Sequence, residues 1–297
     1  MERILQSFKD LYIGDEIVKK HFMLSVLFIL PSLLGAVANF MDKDTPKTAM
    51  VVILIAFAVL LVLSIIPGIY LLGYWVRFCA DRIGGIKGIP QLNNQMFVEG
   101  LKILPLAIVW GIYLIVFFTA MILLPFVPFI PYFSELKSNP ALIIAMIVLF
   151  CIFYLLLMLI LLVVCPFLSY VSIKYVKQGK LSLDLFNPLI IFSFMKKSFK
   201  ETIIVAIKFI LVNIVTNLAT ALLNGILGLV IVVIVFIAAL FAPTETKAEA
   251  VMYTPLVVMM ILPIATLMGI IQTYVTTMVG YASTDVYVDI YNEKIEA

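Results

Sequence analysis

Asn213, Thr216, Asn217, Thr220 and Asn224 recur at spacings of three and four within an otherwise apolar stretch. On a helix turning about 100° per residue they fall within an arc of about 100°. Further along, Gly269, Thr273, Thr276 and Gly280 share a second helical face, with Gln272 beside it. Two chemistries suit such stripes. Amides and hydroxyls in hydrocarbon seek partners, and small residues let helices approach, so the stripes can join one helix to another. They can equally line a polar cavity that takes a solute or a lipid headgroup. Turning them to lipid is the poor choice, because an amide without a partner there costs several kcal/mol. Asn213, Asn217 and Asn224 are therefore expected to face the protein interior.

Other chemistry is harder to find. His21 is the one histidine, so H-E-x-x-H and three-histidine zinc arrangements are excluded. Gly84-Gly85-Ile86-Lys87-Gly88 lacks the G-x-x-x-x-G-K-[ST] pattern and reads as a turn. There is no G-x-S-x-G. Carboxylates are absent from the centres of the apolar stretches, which removes the usual means of proton coupling in a membrane. Cys79, Cys151 and Cys165 are too scattered for a disulfide framework or a metal site. Cys151 and Cys165 are expected as small apolar packing residues. No catalytic residue, metal or cofactor is expected.

The elements that must carry these residues follow from composition. Hydrophobic residues make up 64% of the 297 and charged residues 12%. Soluble domains run nearer half and a quarter. Six stretches hold no Asp, Glu, Lys or Arg: 21–41, 48–76, 103–134, 138–173, 209–244 and 250–284. A bilayer core needs about 20 helical residues to cross, and each stretch is long enough. Only helices and closed barrels satisfy the backbone in lipid. Runs such as 155–164 (LLLMLILLVV) show no barrel-type alternation. The expected fold is an all-α integral membrane protein with six spans forming a single membrane domain over 1–297. Eight charges in residues 1–20, with no A-x-A-like site after them, argue against a cleavable signal.

Lys and Arg collect on the cytoplasmic side of a membrane. With six spans, 16 of the 20 basic residues fall on the side of the termini, and only Lys43, Lys47, Lys137 and Lys247 on the other. Both termini of this multi-pass cell-membrane protein are thus expected in the cytoplasm, with 43–47, 133–139 and 243–250 outside. The basic balance reads as attraction to the bilayer and its anionic headgroups, not to nucleic acid. One question stays open here. Residues 202–242 would span about 60 Å as a single helix, and Asn224-Gly225 could divide them into two crossings.

Three approximate repeats, 1–90, 91–180 and 181–297, organise the chain. A small residue, a large apolar residue and a lysine recur as Ser7-Phe8-Lys9, Gly100-Leu101-Lys102 and Ser198-Phe199-Lys200. One proline follows in each even-numbered span, at Pro67, Pro166 and Pro263, then a small-Tyr pair: Gly73-Tyr74, Ser169-Tyr170, Gly280-Tyr281. Units of two spans return to their starting side, so they are parallel copies about an axis along the membrane normal. The match of the second and third units favours a single crossing for 202–242. Amphipathic interfacial helices are expected on the cytoplasmic side over 3–13, with Ile4, Phe8 and Leu11 on one face, and over 186–200, with Phe192, Met195 and Phe199. Lys9, Lys102, Lys196, Lys197 and Lys200 are the candidate headgroup contacts.

Residues 66–110 carry L-L-G-Y-x-x-R at Leu71 to Arg77, a Gly-rich turn, Pro90, and F-V-x-G-L-K at Phe97 to Lys102. This stretch resembles a bacterial and archaeal family of polytopic membrane proteins known as a domain of unknown function. Gln91, Asn93, Asn94 and Gln95 stand where that family usually places acids. The resemblance implies a membrane location and no particular activity. A non-enzymatic role follows as the leading expectation: lipid interaction, or an accessory or scaffold part for another membrane protein. The alternative is a small-solute or lipid transporter with its site between the repeats. An enzyme acting on lipid would need catalytic groups that the sequence does not offer.

Overall fold

The computed structural model describes residues 2–24, 47–132, 139–240 and 255–296. Most of the first apolar stretch, and residues 43–46, 133–138 and 243–250 expected outside, lie beyond the described residues. Every regular element among the described residues is helical. These are α1 (Glu2–Leu11), α2 (17–24), α3 (Lys47–Ile83), α4 (Gln95–Leu123), α5 (Pro140–Gln178), α6 (Ile190–Leu240) and α7 (Pro255–Ile290).

Local chemistry sets several boundaries. Pro125, Pro128 and Pro131 recur every third residue, and each lacks an amide proton, so the α-helical ladder cannot continue past α4. The chain tightens instead into a 3₁₀ turn over Leu124–Tyr132, whose three-residue period matches the prolines. Asn139 caps α5 by accepting from the Ala141 amide at 3.1 Å, with Pro140 in the first turn. Gly179 ends α5 in the left-handed region, at φ 63°. Ser198 breaks the helical path of α6 at φ −138° and ψ 19°, so a short N-terminal helix meets the long one at an angle. The helix then runs through Asn224-Gly225 without interruption. Residues 202–240 are therefore one continuous helix, not a hairpin.

Three segments are long and apolar enough to cross a membrane: Gln95–Pro131, Pro140–Gln178 and Ile190–Ile237. Only 6% of the most apolar window of each is buried within the protein. Bare apolar surface of this extent is unsuited to water.

The chain divides into two compact units. The first comprises Met1–Leu71, Lys87–Asn93 and Lys208–Ser283. Here α1 buries Ile4, Ser7 and Leu11, and the Ser7 hydroxyl donates to the Ala282 carbonyl at 2.9 Å. Asp10 pairs with Lys87 at 3.0 Å, and its carbonyl accepts from the Gly88 amide at 2.8 Å. Gly88 has φ 87°, and a Cβ there would stand 2.2 Å from the Ile13 carbonyl oxygen, so glycine is required. The second unit comprises Leu72–Ile86, Asn94–Ile207 and Thr284–Ala297. Its core centres on Tyr170, whose ring meets Phe167, Phe194, Tyr287 and Tyr291 at centroid distances of 5.7 to 5.9 Å. The Tyr170 hydroxyl shares a 2.7 Å hydrogen bond with Thr202, and Thr202 donates to Ser198 at 3.2 Å.

The cysteines divide differently from expectation. Cys79 is buried, whereas Cys151 and Cys165 are exposed on α5. An apolar side chain in a span is as compatible with lipid as with protein, so hydropathy alone did not distinguish the two placements.

Candidate functional site

In the second compact unit α3, α4 and α5 enclose a cavity of about 320 Å³. Helical periodicity selects its walls. Ile103, Leu106, Ala107 and Trp110 form one face of α4, Leu72 and Trp75 lie one turn apart on α3, and Leu168, Ser169, Val171 and Ser172 come from α5. Gly73 sets the distance between the first two helices. A Cβ on it would stand 1.6 Å from the Met96 carbonyl oxygen and 2.7 Å from the Gly100 nitrogen. Backbone therefore meets backbone at this crossing, and Gly73 and Gly100 belong to the two motifs that carry the family resemblance.

Both indoles in the wall have their N–H groups engaged elsewhere. Trp110 donates to the Leu185 carbonyl at 2.9 Å, and Trp75 to the Thr284 hydroxyl at 3.4 Å. Trp110 also meets Tyr113 edge to face, with centroids 5.6 Å apart, and the Tyr113 hydroxyl donates to Phe186. The cavity is thus apolar apart from the hydroxyls of Ser169 and Ser172.

Charges gather just past the helix ends. Arg77 pairs with Asp81 at 3.3 Å. Burial raises the Asp81 carboxyl above its ordinary range, and Arg77 and Arg82 oppose that shift. Arg82 pairs with Asp285 at 3.2 Å and lies over the Phe78 ring at 5.0 Å. Lys174 binds Asp184, which holds that carboxyl below its usual value. Burial pushes the Tyr291 hydroxyl up to about 12. Among the described residues no group of His, Cys, Asp and Glu gathers in a way that could hold a metal.

The polar stripes lie in the first compact unit and are joined there. Gln272 of α7 donates to the Asn217 side-chain oxygen at 2.8 Å, and Asn217 donates to Asn213 at 2.9 Å. Thr216, Thr220 and Thr276 turn their hydroxyls onto carbonyls of the preceding turn, and the Thr273 carbonyl accepts from Thr277. Thr220 is buried and Asn217 and Asn224 are half-buried, while Asn213 is exposed. The Asn224 side-chain oxygen is buried without a partner among the described residues.

The candidate headgroup lysines Lys9, Lys102, Lys196, Lys197 and Lys200 are all exposed. Lys197 is tied down, donating to the Ile295 carbonyl at 2.6 Å. Near them, Ile190, Ile191, Phe194 and Ser198 pack inward while Phe192 and Phe199 are exposed.

Sequence reasoning did not single out Trp75, Trp110 or Ser172. For Trp75 a signal was present: it stands two residues before Arg77 at the end of an apolar run, where indoles anchor at membrane interfaces.

Long bare apolar helices with charges confined to their ends define an α-helical membrane protein. The family described as "Protein of unknown function (DUF4013)" matches residues 56–225, more than half of the chain. The chain belongs to that family. Neither a curated protein nor a solved structure matches it.

Proposed function

We propose that this is a six-span protein of three parallel two-helix repeats that engages membrane lipid on its cytoplasmic side without catalysing a reaction. Support for the repeats comes from three contacts, different in kind, that each link a small-Tyr pair or its neighbour to a small-apolar-Lys motif. Gly73 of the first small-Tyr pair meets Gly100. Tyr170 of the second is bonded through Thr202 to Ser198. Ala282, next to the third pair, accepts from Ser7. Each small-Tyr pair thus sits on or beside the small residue of a small-apolar-Lys motif, and Tyr74, Tyr170 and Tyr281 are all buried.

The start of α6 carries the lipid reading. Its packed side leaves Phe192 exposed and Phe199 half exposed with its ring stacked on Phe167, and Lys196 and Lys200 are exposed beside them. Exposed aromatics flanked by lysines suit a helix lying in the plane of anionic headgroups. The transporter alternative draws on the repeats alone, because the stripe residues mostly bond to one another. An accessory role beside another membrane protein is compatible with the same surface.

The test is lipid preference. The purified chain in detergent should be stabilised against heat more by phosphatidylglycerol than by phosphatidylcholine. A lysine near an anionic surface contributes about 1 kcal/mol. The Lys196→Gln/Lys200→Gln variant should therefore lose on the order of tenfold in phosphatidylglycerol affinity. Equal response of the unaltered chain to both lipids would refute the proposal.

A further inference from the structure

The cavity of the second compact unit has a defined height along its helices. Trp75 stands two residues before Arg77, Ile103 directly follows Lys102, and Ser172 stands two residues before Lys174. Away from those cations, each helix enters a charge-free run: 48–76, 103–134 and 138–173. Such a level is where acyl chains meet the ester and phosphate groups of a leaflet.

What the cavity offers matches that level. Helical serines and threonines commonly return their hydroxyl to a carbonyl of the preceding turn. Ser193, Ser198, Thr216, Thr220 and Thr276 do so here. Ser169 and Ser172 make no such bond among the described residues and line the cavity instead. The indoles present apolar rings, since their N–H groups are engaged. The occupant must therefore be apolar along its body and carry an acceptor oxygen near one end. A volume of about 320 Å³ is about ten times that of a liquid water molecule, room for a chain segment. Of the three flanking cations, Arg77 and Lys174 are held by Asp81 and Asp184. Lys102 is exposed and has no ion pair among the described residues.

We infer that the cavity holds the carbonyl-end segment of one acyl chain of a glycerophospholipid from the cytoplasmic leaflet. Its ester carbonyl accepts from Ser169 and Ser172, and its phosphate lies toward Lys102. This inference rests on the lipid-engaging reading and names the lipid and its seat.

Trp75 and Trp110 are the only two tryptophans and both line this cavity, so tryptophan emission, excited at the red edge where the 13 tyrosines absorb little, reports on its wall. The full chain in detergent is titrated with phosphatidylglycerol brominated near the carbonyl end of its acyl chain. Quenching should saturate at one lipid per chain. Ala107→Phe, which fills the cavity, should abolish the saturable phase. The Ser169→Ala/Ser172→Ala variant should weaken it about tenfold and serves as the test if the Phe variant does not fold. Quenching that never saturates, or is identical in wild type and folded variants, marks surface lipid only and overturns the inference. A brominated alkane binding as tightly as the phospholipid would overturn the ester and phosphate assignment. Neither outcome disturbs the anionic preference carried by Lys196 and Lys200. Failure of that preference, with saturable quenching retained, would instead strike the broader reading.

Discussion

Asn217 shows how a single amide can be accommodated in an apolar helix. Its oxygen accepts from Gln272 and its nitrogen donates to Asn213, at 2.8 and 2.9 Å. Interhelical hydrogen bonds in membranes contribute roughly 0.6–2 kcal/mol. Asn217→Leu should lower the thermal stability of the purified chain by about that amount. Gln272→Leu should do the same, and the double variant should cost less than the sum, because both remove one bond. Additive losses would show that the pair is not coupled. Asn213→Leu should cost less than Asn217→Leu, since Asn213 is exposed and does not reach α7.

At the scale of elements, the decisive feature is the crossing of α3 and α4. The Gly73 position has no space for a methyl group, whereas nothing lies within 4 Å of a Cβ built at Gly225. Gly73→Ala should therefore force the helices apart and destabilise by about 1–3 kcal/mol, the usual cost of overpacking. Gly225→Ala should be neutral or stabilising by up to about 1 kcal/mol, because alanine is the better helix former. Melting curves in detergent compare the two, and equal effects would contradict a close crossing at Gly73. The same contact accounts for part of the family motif. L-L-G-Y and F-V-x-G-L-K each contribute one glycine to it, so the two motifs meet at one place where backbone must approach backbone.

For the molecule as a whole, the distribution of charge predicts its orientation. In a background lacking Cys79, Cys151 and Cys165, cysteines at Gly85 and Gln178 should resist an impermeant thiol reagent in intact cells. They should react once the membrane is opened. Labelling of either from outside would reverse the topology and place the cavity of α3, α4 and α5 in the other leaflet.

The membrane class and the course of the long helices were legible in the sequence. They are local properties: a charge-free run either is or is not long enough for a bilayer. The close approach at Gly73 was not legible, because Gly111, Gly225, Gly269 and Gly280 stand in equally apolar helices with nothing within 4 Å of a Cβ. For 202–240 the repeat spacing only favoured a single crossing over two, and the structure runs the helix unbroken through Asn224-Gly225. What each apolar face touches was not legible. Phe194 is buried while Phe192 is exposed, and Cys79 is packed while Cys151 and Cys165 are exposed. Lipid and protein interior are both apolar, so hydrophobicity, which separates inside from outside in water, does not separate them here. The cavity lay further out of reach. Its walls come from residues 72–75, 103–110 and 168–172, and the indole N–H groups find partners at Leu185 and Thr284. Only the packing of three helices brings those distant segments together, and that packing depends on contacts whose partners no local pattern specifies.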